Sequence, residues 1–272
     1  MAVSRQIRRA VAVAVAAAAL AALTTVPATG TSATVKPLPV NAKWDYQIGQ
    51  AYRPPAGVRV VSRDREARPP KSGYAICYVN AFQAQPQEAK WWKAKHRNLL
   101  LRRADGRFVV DSAWGEILFD VGTPSKRRAL ARIVGRWISG CNRDGFDAVE
   151  PDNLDSWTRS KGLLSRGQAF AFAALLVKRS HAEGLAIAQK NAAGSVQRGV
   201  DVGFDFAVAE ECGRWHECGA YARAYDDRVL VVEYRDVDFA RTCTHWGDRL
   251  SVIRRDRMVR APGAASYRYD SC

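Results

Sequence analysis

The chain has 272 residues, 47% of them hydrophobic and 25% charged, with 42 Lys and Arg against 27 Asp and Glu and a formal charge of +15. That composition is globular and argues against a disordered or repeatedly membrane-spanning chain. The charge favours polyanions in general, but Lys and Arg are scattered through an Ala-rich sequence. No basic run interleaves with aromatics, so specific nucleic-acid recognition is not expected.

Residues 1–28 have the layout of an export signal. Arg5, Arg8 and Arg9 precede the apolar run from Val11 to Leu23, and Val26-Pro27-Ala28 supplies small residues for cleavage. The run is short for a bilayer span, which needs about 20 apolar residues. Removing the signal takes three Arg and no acid, leaving +12 on a secreted chain with no membrane span. Residues 29–42, with Thr, Ala and Pro and no periodicity, form a short lead-in to one domain at 43–272.

From Trp44 onward, short apolar runs alternate with helical stretches. The spacing predicts strands at 44–48, 58–62, 74–80, 146–152, 185–190, 204–210, 229–234 and 250–253, with an extra short strand at 116–121. Their Val, Ile, Phe and Tyr content suits strands buried on both faces. A helix is predicted from Pro124 to Cys141, with Thr123 as N-cap and Leu130, Ile133, Val134, Trp137 and Ile138 at helical spacing. A second is predicted from Ser165 to Ala182, closed by Gly184. Eight strands in this length, with no glycine-rich dinucleotide fingerprint, predict a single-domain α/β fold of the (β/α)₈ TIM-barrel type.

An exported chain with six Cys can form disulfides, and six allow fifteen pairings. Cys212 and Cys218 are close enough to bridge a local loop, and Cys243 and Cys272 can pin the C-terminal tail. Cys77 and Cys141 remain, and Cys77 reads equally well as a buried thiol in an apolar strand.

In such barrels the active site lies at the C-terminal ends of the strands. The first predicted strand carries Trp44, Asp45 and Gln47. The third ends in Tyr78 and Asn80, the fourth in Glu150, Asp152 and Asn153 with Asp155 beyond, and the fifth in Lys190 and Asn191. The sixth ends in Glu210 and Glu211, and the seventh in Glu233 and Tyr234. Five acids therefore gather at one rim of a basic protein, where unpaired buried carboxylates would be costly. Trp44, Tyr78, Trp157 and Tyr234 offer faces for a sugar ring, although core packing is the alternative for each aromatic. Two carboxylates, one acid and one nucleophile or base, are what glycoside hydrolysis needs. Strands four and six contribute to the same inward layer, so their terminal acids can face each other across the mouth. Ion pairing with Lys190 is the alternative role for these acids. No histidine joins the cluster and no Ca²⁺-loop spacing is present, so neither a metal nor another cofactor is expected.

These same segments resemble glycoside hydrolase family 114. The resemblance rests on Gly145-Phe146-Asp147-Ala148-Val149-Glu150-Pro151-Asp152-Asn153-Leu154-Asp155, and on Trp44-Asp45-Tyr46-Gln47, Ile76-Cys77-Tyr78 and Gln189-Lys190-Asn191. It continues through Ala209-Glu210-Glu211-Cys212, Glu217-Cys218 and Glu233-Tyr234. It implies a barrel enzyme that cleaves α-1,4-linked galactosamine or N-acetylgalactosamine polysaccharide internally, as a monomer, with Asp152 as nucleophile and Glu210 as acid/base. Ala209 stands where family members often have Asn, and the ends of strands two and three also depart from the pattern. The alternatives are a non-catalytic carbohydrate-binding barrel and a hydrolase of a different, anionic glycan.

Overall fold

The computed structural model describes residues 35–272; the expected export signal and the start of the expected lead-in lie outside the described residues. Eight parallel strands follow one another in chain order: Trp44–Gln47, Val60–Asp64, Tyr74–Asn80, Ala148–Asp152, Ala186–Lys190, Phe206–Glu210, Val229–Glu233 and Ser251–Arg255. They are called strands one to eight below. Strand eight pairs on its outer edge with an antiparallel strand, Tyr269–Ser271, which the sequence reading did not contain. The eight predicted barrel strands are all present, with ends shifted by at most two residues.

No backbone ladder joins strand one to strand eight, and side chains close the seam instead. Arg255, fully buried, donates to Asp45 Oδ1 at 3.0 Å and to the Tyr46 carbonyl. Ser251 Oγ accepts the Ala42 amide at 2.9 Å, and Tyr269 Oη donates to the Trp44 carbonyl at 2.9 Å.

Strand side chains alternate between two faces, and the alternation creates two hydrophobic layers. Tyr46, Ile76, Ala188, Phe206, Val208 and Val232 fill the barrel. Cys77, Val149, Ile187, Ala207 and Val231 point outward against the helices. The largest helix among the described residues, Pro124–Asp144, starts where Thr123 accepts the Lys126 amide and ends at Gly145, whose φ of 92° is left-handed. It buries Leu130, Ile133, Val134 and Ile138. Ser165 and Gln168 cap the helix Arg166–Ala182 reciprocally. Shorter helices at Val196–Val202, Cys218–Ala224 and Asp236–Trp246 follow strands five, six and seven. Among the described residues no helix is long and apolar enough to cross a membrane.

Between strand three and the large helix the chain makes an excursion. It contains a small antiparallel sheet of Gln83–Ala84, Glu116–Leu118 and Val110–Asp111. The predicted extra strand at 116–121 belongs to this sheet rather than to the barrel.

All six cysteines are bridged, as Cys77–Cys141, Cys212–Cys218 and Cys243–Cys272. Cys77 bridges because its outward face meets Cys141 on the inner face of the large helix, which removes the buried-thiol alternative. The Cys77–Cys141 bridge spans 64 residues and Cys212–Cys218 only 6. Loop-closure entropy then predicts losses of about 4 kcal/mol for Cys77→Ala/Cys141→Ala and about 2.5 kcal/mol for Cys212→Ala/Cys218→Ala. Denaturant midpoints of the two variants check this ordering; equal midpoints would contradict it.

Candidate active site

The inward residues nearest the C-terminal ends of the strands are polar and pair with one another. At the floor lies Glu150, with no solvent exposure. It accepts hydrogen bonds from Tyr46 Oη at 2.7 Å, Ser62 Oγ at 2.7 Å and Lys190 Nζ at 3.0 Å. The Lys190 ammonium has three donors. The other two reach Tyr46 Oη at 2.9 Å and Asp152 Oδ1 at 3.1 Å. Glu210 Oε1 stands 4.0 Å from the same nitrogen.

Lys190 therefore sits among three carboxylates. Burial opposes its charge, but Asp152, Glu210 and Glu150 hold its pKa well above the ordinary lysine value. Burial likewise opposes ionisation of Asp152. The Lys190 charge, the Tyr78 hydroxyl at 2.6 Å and the Asn153 amide at 2.7 Å overcome it and hold Asp152 below the usual carboxylate range. For Glu150 burial prevails over Lys190 and the pKa rises.

Glu210 accepts from Tyr234 Oη and from Asn191 Nδ2, while its backbone amide donates to Asn191 Oδ1 at 2.9 Å. Burial keeps the Tyr78 and Tyr234 hydroxyls protonated, so both act as donors. The 3.1 and 4.0 Å distances from Lys190 put an Asp152 oxygen and a Glu210 oxygen no more than about 7 Å apart, an upper limit that admits the separation of about 5–5.5 Å found in retaining glycosidases.

The strand ends share a device. Asn153, Asn191 and Glu211, each immediately after an inward functional residue, have φ of 65°, 52° and 57°. The left-handed step turns the backbone away from the barrel and leaves the preceding side chain at the rim. Asn tolerates this conformation, whereas Glu does so at a cost. Glu211 is held by ion pairs to Arg214 at 2.7 Å and Arg257 at 3.5 Å.

Above these residues opens a cleft of about 380 Å³, within the range of small-molecule sites. It brings together Tyr78, Asp152, Asn153, Asp155, Lys190, Asn191, Glu210 and Tyr234 from the sequence reading. Glu150 lies beneath the cleft and Asn80 behind it, where the Asn80 amide donates to Glu116 Oε2 at 2.8 Å.

The remaining candidates do not line the cleft. Trp44 is fully buried in the barrel, tilted against Tyr46, and offers no stacking face. Asp45 and Gln47 take the outward parity of strand one. Asp45 pairs with Arg255 at the seam, and Gln47 bonds to Asp45 and Arg63. Glu233 has the outward parity of strand seven, where it accepts the Gly213 amide at 2.7 Å and burial raises its pKa to about 7. Trp157 packs against Phe170.

Several cleft residues were absent from the sequence reading. Tyr46, in the cleft, and Ser62, beneath it on Glu150, share the inward parity and could have been found by counting along their strands. Asp111 and Glu116 come from the small sheet and Trp114 from the turn between their strands, Arg159 from the short 3-10 helix Ser156–Arg159, and Arg257 and Met258 from a loop, none of which carries a periodic signal. Arg159 joins Asp111 at 2.8 Å and Asp155 at 2.9 Å. Arg257 lies over the Tyr234 ring at 5.4 Å. Glu116 is raised to about pKa 7, burial being the largest cause.

Residues 24–272 match the glycoside-hydrolase family GH114. The chain belongs to that family. As a GH114 member it is a glycoside hydrolase, on a single-domain TIM-type barrel. Its fold is similar to that of Aspergillus fumigatus Ega3 in complex with galactosamine, with a TM-score of 0.70 and 18% identity, covering 89% of this chain and 100% of that one. It is also similar to the glycoside hydrolase domain of PelA from Pseudomonas aeruginosa, with a TM-score of 0.60 and 15% identity, covering 85% and 100%. No curated protein matches the sequence.

Proposed function

We propose that this GH114 enzyme acts outside the cell and cleaves α-1,4-linked galactosamine-type polysaccharide internally, with Asp152 as nucleophile and Glu210 as acid/base. The carrying observation is the shared buried ammonium of Lys190, which contacts Asp152 and faces Glu210. Its charge, with Tyr78 and the Asn153 amide, favours an ionised Asp152. Glu210, more exposed and oriented by Tyr234 and Asn191, is suited to exchange a proton with substrate oxygen or water.

In the first step Asp152 attacks the anomeric carbon, the glycosidic C–O bond breaks, and Glu210 gives its proton to the departing sugar oxygen. In the second, Glu210 takes a proton from water, whose oxygen displaces Asp152 from the anomeric carbon. Net stereochemistry is retained.

The charge balance supports an amino-sugar substrate. Five carboxylates (Asp111, Glu116, Asp152, Asp155 and Glu210) and three cations (Arg159, Lys190 and Arg257) line the cleft. The cleft is thus negative on a chain of net charge +15. A protonated amine gains from this local field, while long-range repulsion is screened beyond about 8–10 Å at physiological salt. The galactosamine bound to Ega3 and the three disulfides agree with this substrate and an extracellular setting.

Mass spectrometry of partly acetylated α-1,4-galactosaminan treated with the signal-free protein tests the reading. A ladder of released oligosaccharides is expected. Intact polymer would move the assignment to another glycan or to a non-catalytic carbohydrate-binding barrel.

A further inference from the structure

The wall of the cleft formed by the excursion after strand three contains two groups that the catalytic chemistry does not use. Glu116 starts a strand of the small sheet and is only 8% exposed. One of its oxygens, Oε2, accepts from Asn80 Nδ2 at 2.8 Å and Asn153 Nδ2 at 3.4 Å. The other, Oε1, has no hydrogen-bond partner among the described residues, and the side chain lines the cleft. A carboxylate oxygen left free at a cleft wall can accept a hydrogen bond from a bound ligand. Arg159, the nearest cation of the wall, is engaged by Asp111 and Asp155 instead.

Two residues earlier, Trp114 also lines the cleft and is 47% exposed, with no aromatic or cationic side chain stacked on it among the described residues. An exposed indole beside an acceptor is the combination that holds a sugar ring by its face and a polar substituent by its edge. Glu116 is joined to Asp152 through Asn153, whose side-chain amide bonds Glu116 and whose backbone amide bonds Asp152.

We propose that Trp114 and Glu116 form a sugar subsite beside Asp152 that selects an unacetylated amino sugar. Trp114 stacks on the ring, and Glu116 Oε1 accepts a hydrogen bond from its ammonium group. An N-acetyl group at the same position presents a bulkier, uncharged amide and loses the charge-assisted bond. This inference rests on the galactosamine reading of the cleft.

The test measures binding of an α-1,4-galactosamine pentamer and of its fully N-acetylated counterpart to the Asp152→Asn protein, by calorimetry at pH 7. Glu116→Gln and Trp114→Ala are then added singly. Gln at position 116 keeps an oxygen for Asn80 and Asn153 and turns a donor toward the cleft, so the local structure is retained. Melting temperatures check that retention, and the exposed position of Trp114 protects its variant in the same way.

Glu116→Gln is expected to weaken the amine pentamer about tenfold, the scale of one charge-assisted hydrogen bond, and to leave the acetylated pentamer within about twofold. Trp114→Ala is expected to weaken both about fivefold. Equal changes for the two pentamers in Glu116→Gln, or no change in Trp114→Ala, would overturn the subsite while leaving the galactosamine reading intact. Failure of the Asp152→Asn protein to bind either pentamer, with Glu116 and Trp114 present, would overturn the galactosamine reading and the subsite with it.

Discussion

Turnover of galactosaminan is expected to fall by at least about 10³-fold in both Asp152→Asn and Glu210→Gln, with the fold of each variant unchanged. Asn at position 152 still accepts the Tyr78 hydroxyl but cannot attack an anomeric carbon. Gln at position 210 still accepts from Tyr234 but has no proton to give. The two losses should differ in kind. With an aryl glycoside whose leaving group departs unprotonated, the first step no longer needs an acid. Glu210→Gln should then release a burst of phenol and accumulate the glycosyl-enzyme, whereas Asp152→Asn should release none. A burst from the Asp152 variant in place of the Glu210 variant would reverse the roles. Near-normal activity in both would remove the pair from the mechanism.

Replacing Lys190 by Met is expected to cost about 3–5 kcal/mol of stability and to suppress turnover at neutral pH. The side chain is only 2% exposed and provides hydrogen bonds to Glu150 and Asp152. Without it, two carboxylates remain buried with no cation in contact, and burial then raises both pKa values. The sign follows directly. A carboxyl whose folded pKa exceeds its unfolded value destabilises the fold as pH rises between the two. The variant should therefore be closest to wild type at acid pH and lose stability as pH rises from the unfolded carboxyl value of about 4 through the raised folded values. Adding Glu150→Gln removes one buried charge and should restore part of the stability without restoring turnover, since Asp152 still lacks its cation. Thermal melts across pH, together with rates, check both statements. Unchanged melting at pH 8 would show that Lys190 does not compensate these acids.

Neither expectation needs a residue that the sequence hid, yet the sequence did not separate the participants. Five rim acids were visible as strand-end residues. The parity of each strand divides them: Glu150, Asp152 and Glu210 share the inward face, while Glu211 and Glu233 point outward. The same count exchanges Asp45 and Gln47 for Tyr46 on strand one. That information is present in the sequence once the register of the barrel is known, because side chains alternate with period two and a one-residue error reverses the face. Trp44 shows the other failure. Its parity is inward, but it lies a layer too deep to meet a ligand.

The sequence by itself determined the strand and helix order, the barrel class, the family and the residues at the ends of strands three to seven. It could do so because buried parallel strands are continuous apolar runs, and the functional residues are the polar ones that end them. Only the tertiary structure decided which acids share Lys190, that Cys77 meets Cys141, that Arg255 and Asp45 close the seam, and that Trp114 and Glu116 wall the cleft. Each of these depends on distances between segments far apart in the chain. Local propensity and spacing describe a segment against its neighbours, and they carry no measure of what the fold packs opposite it.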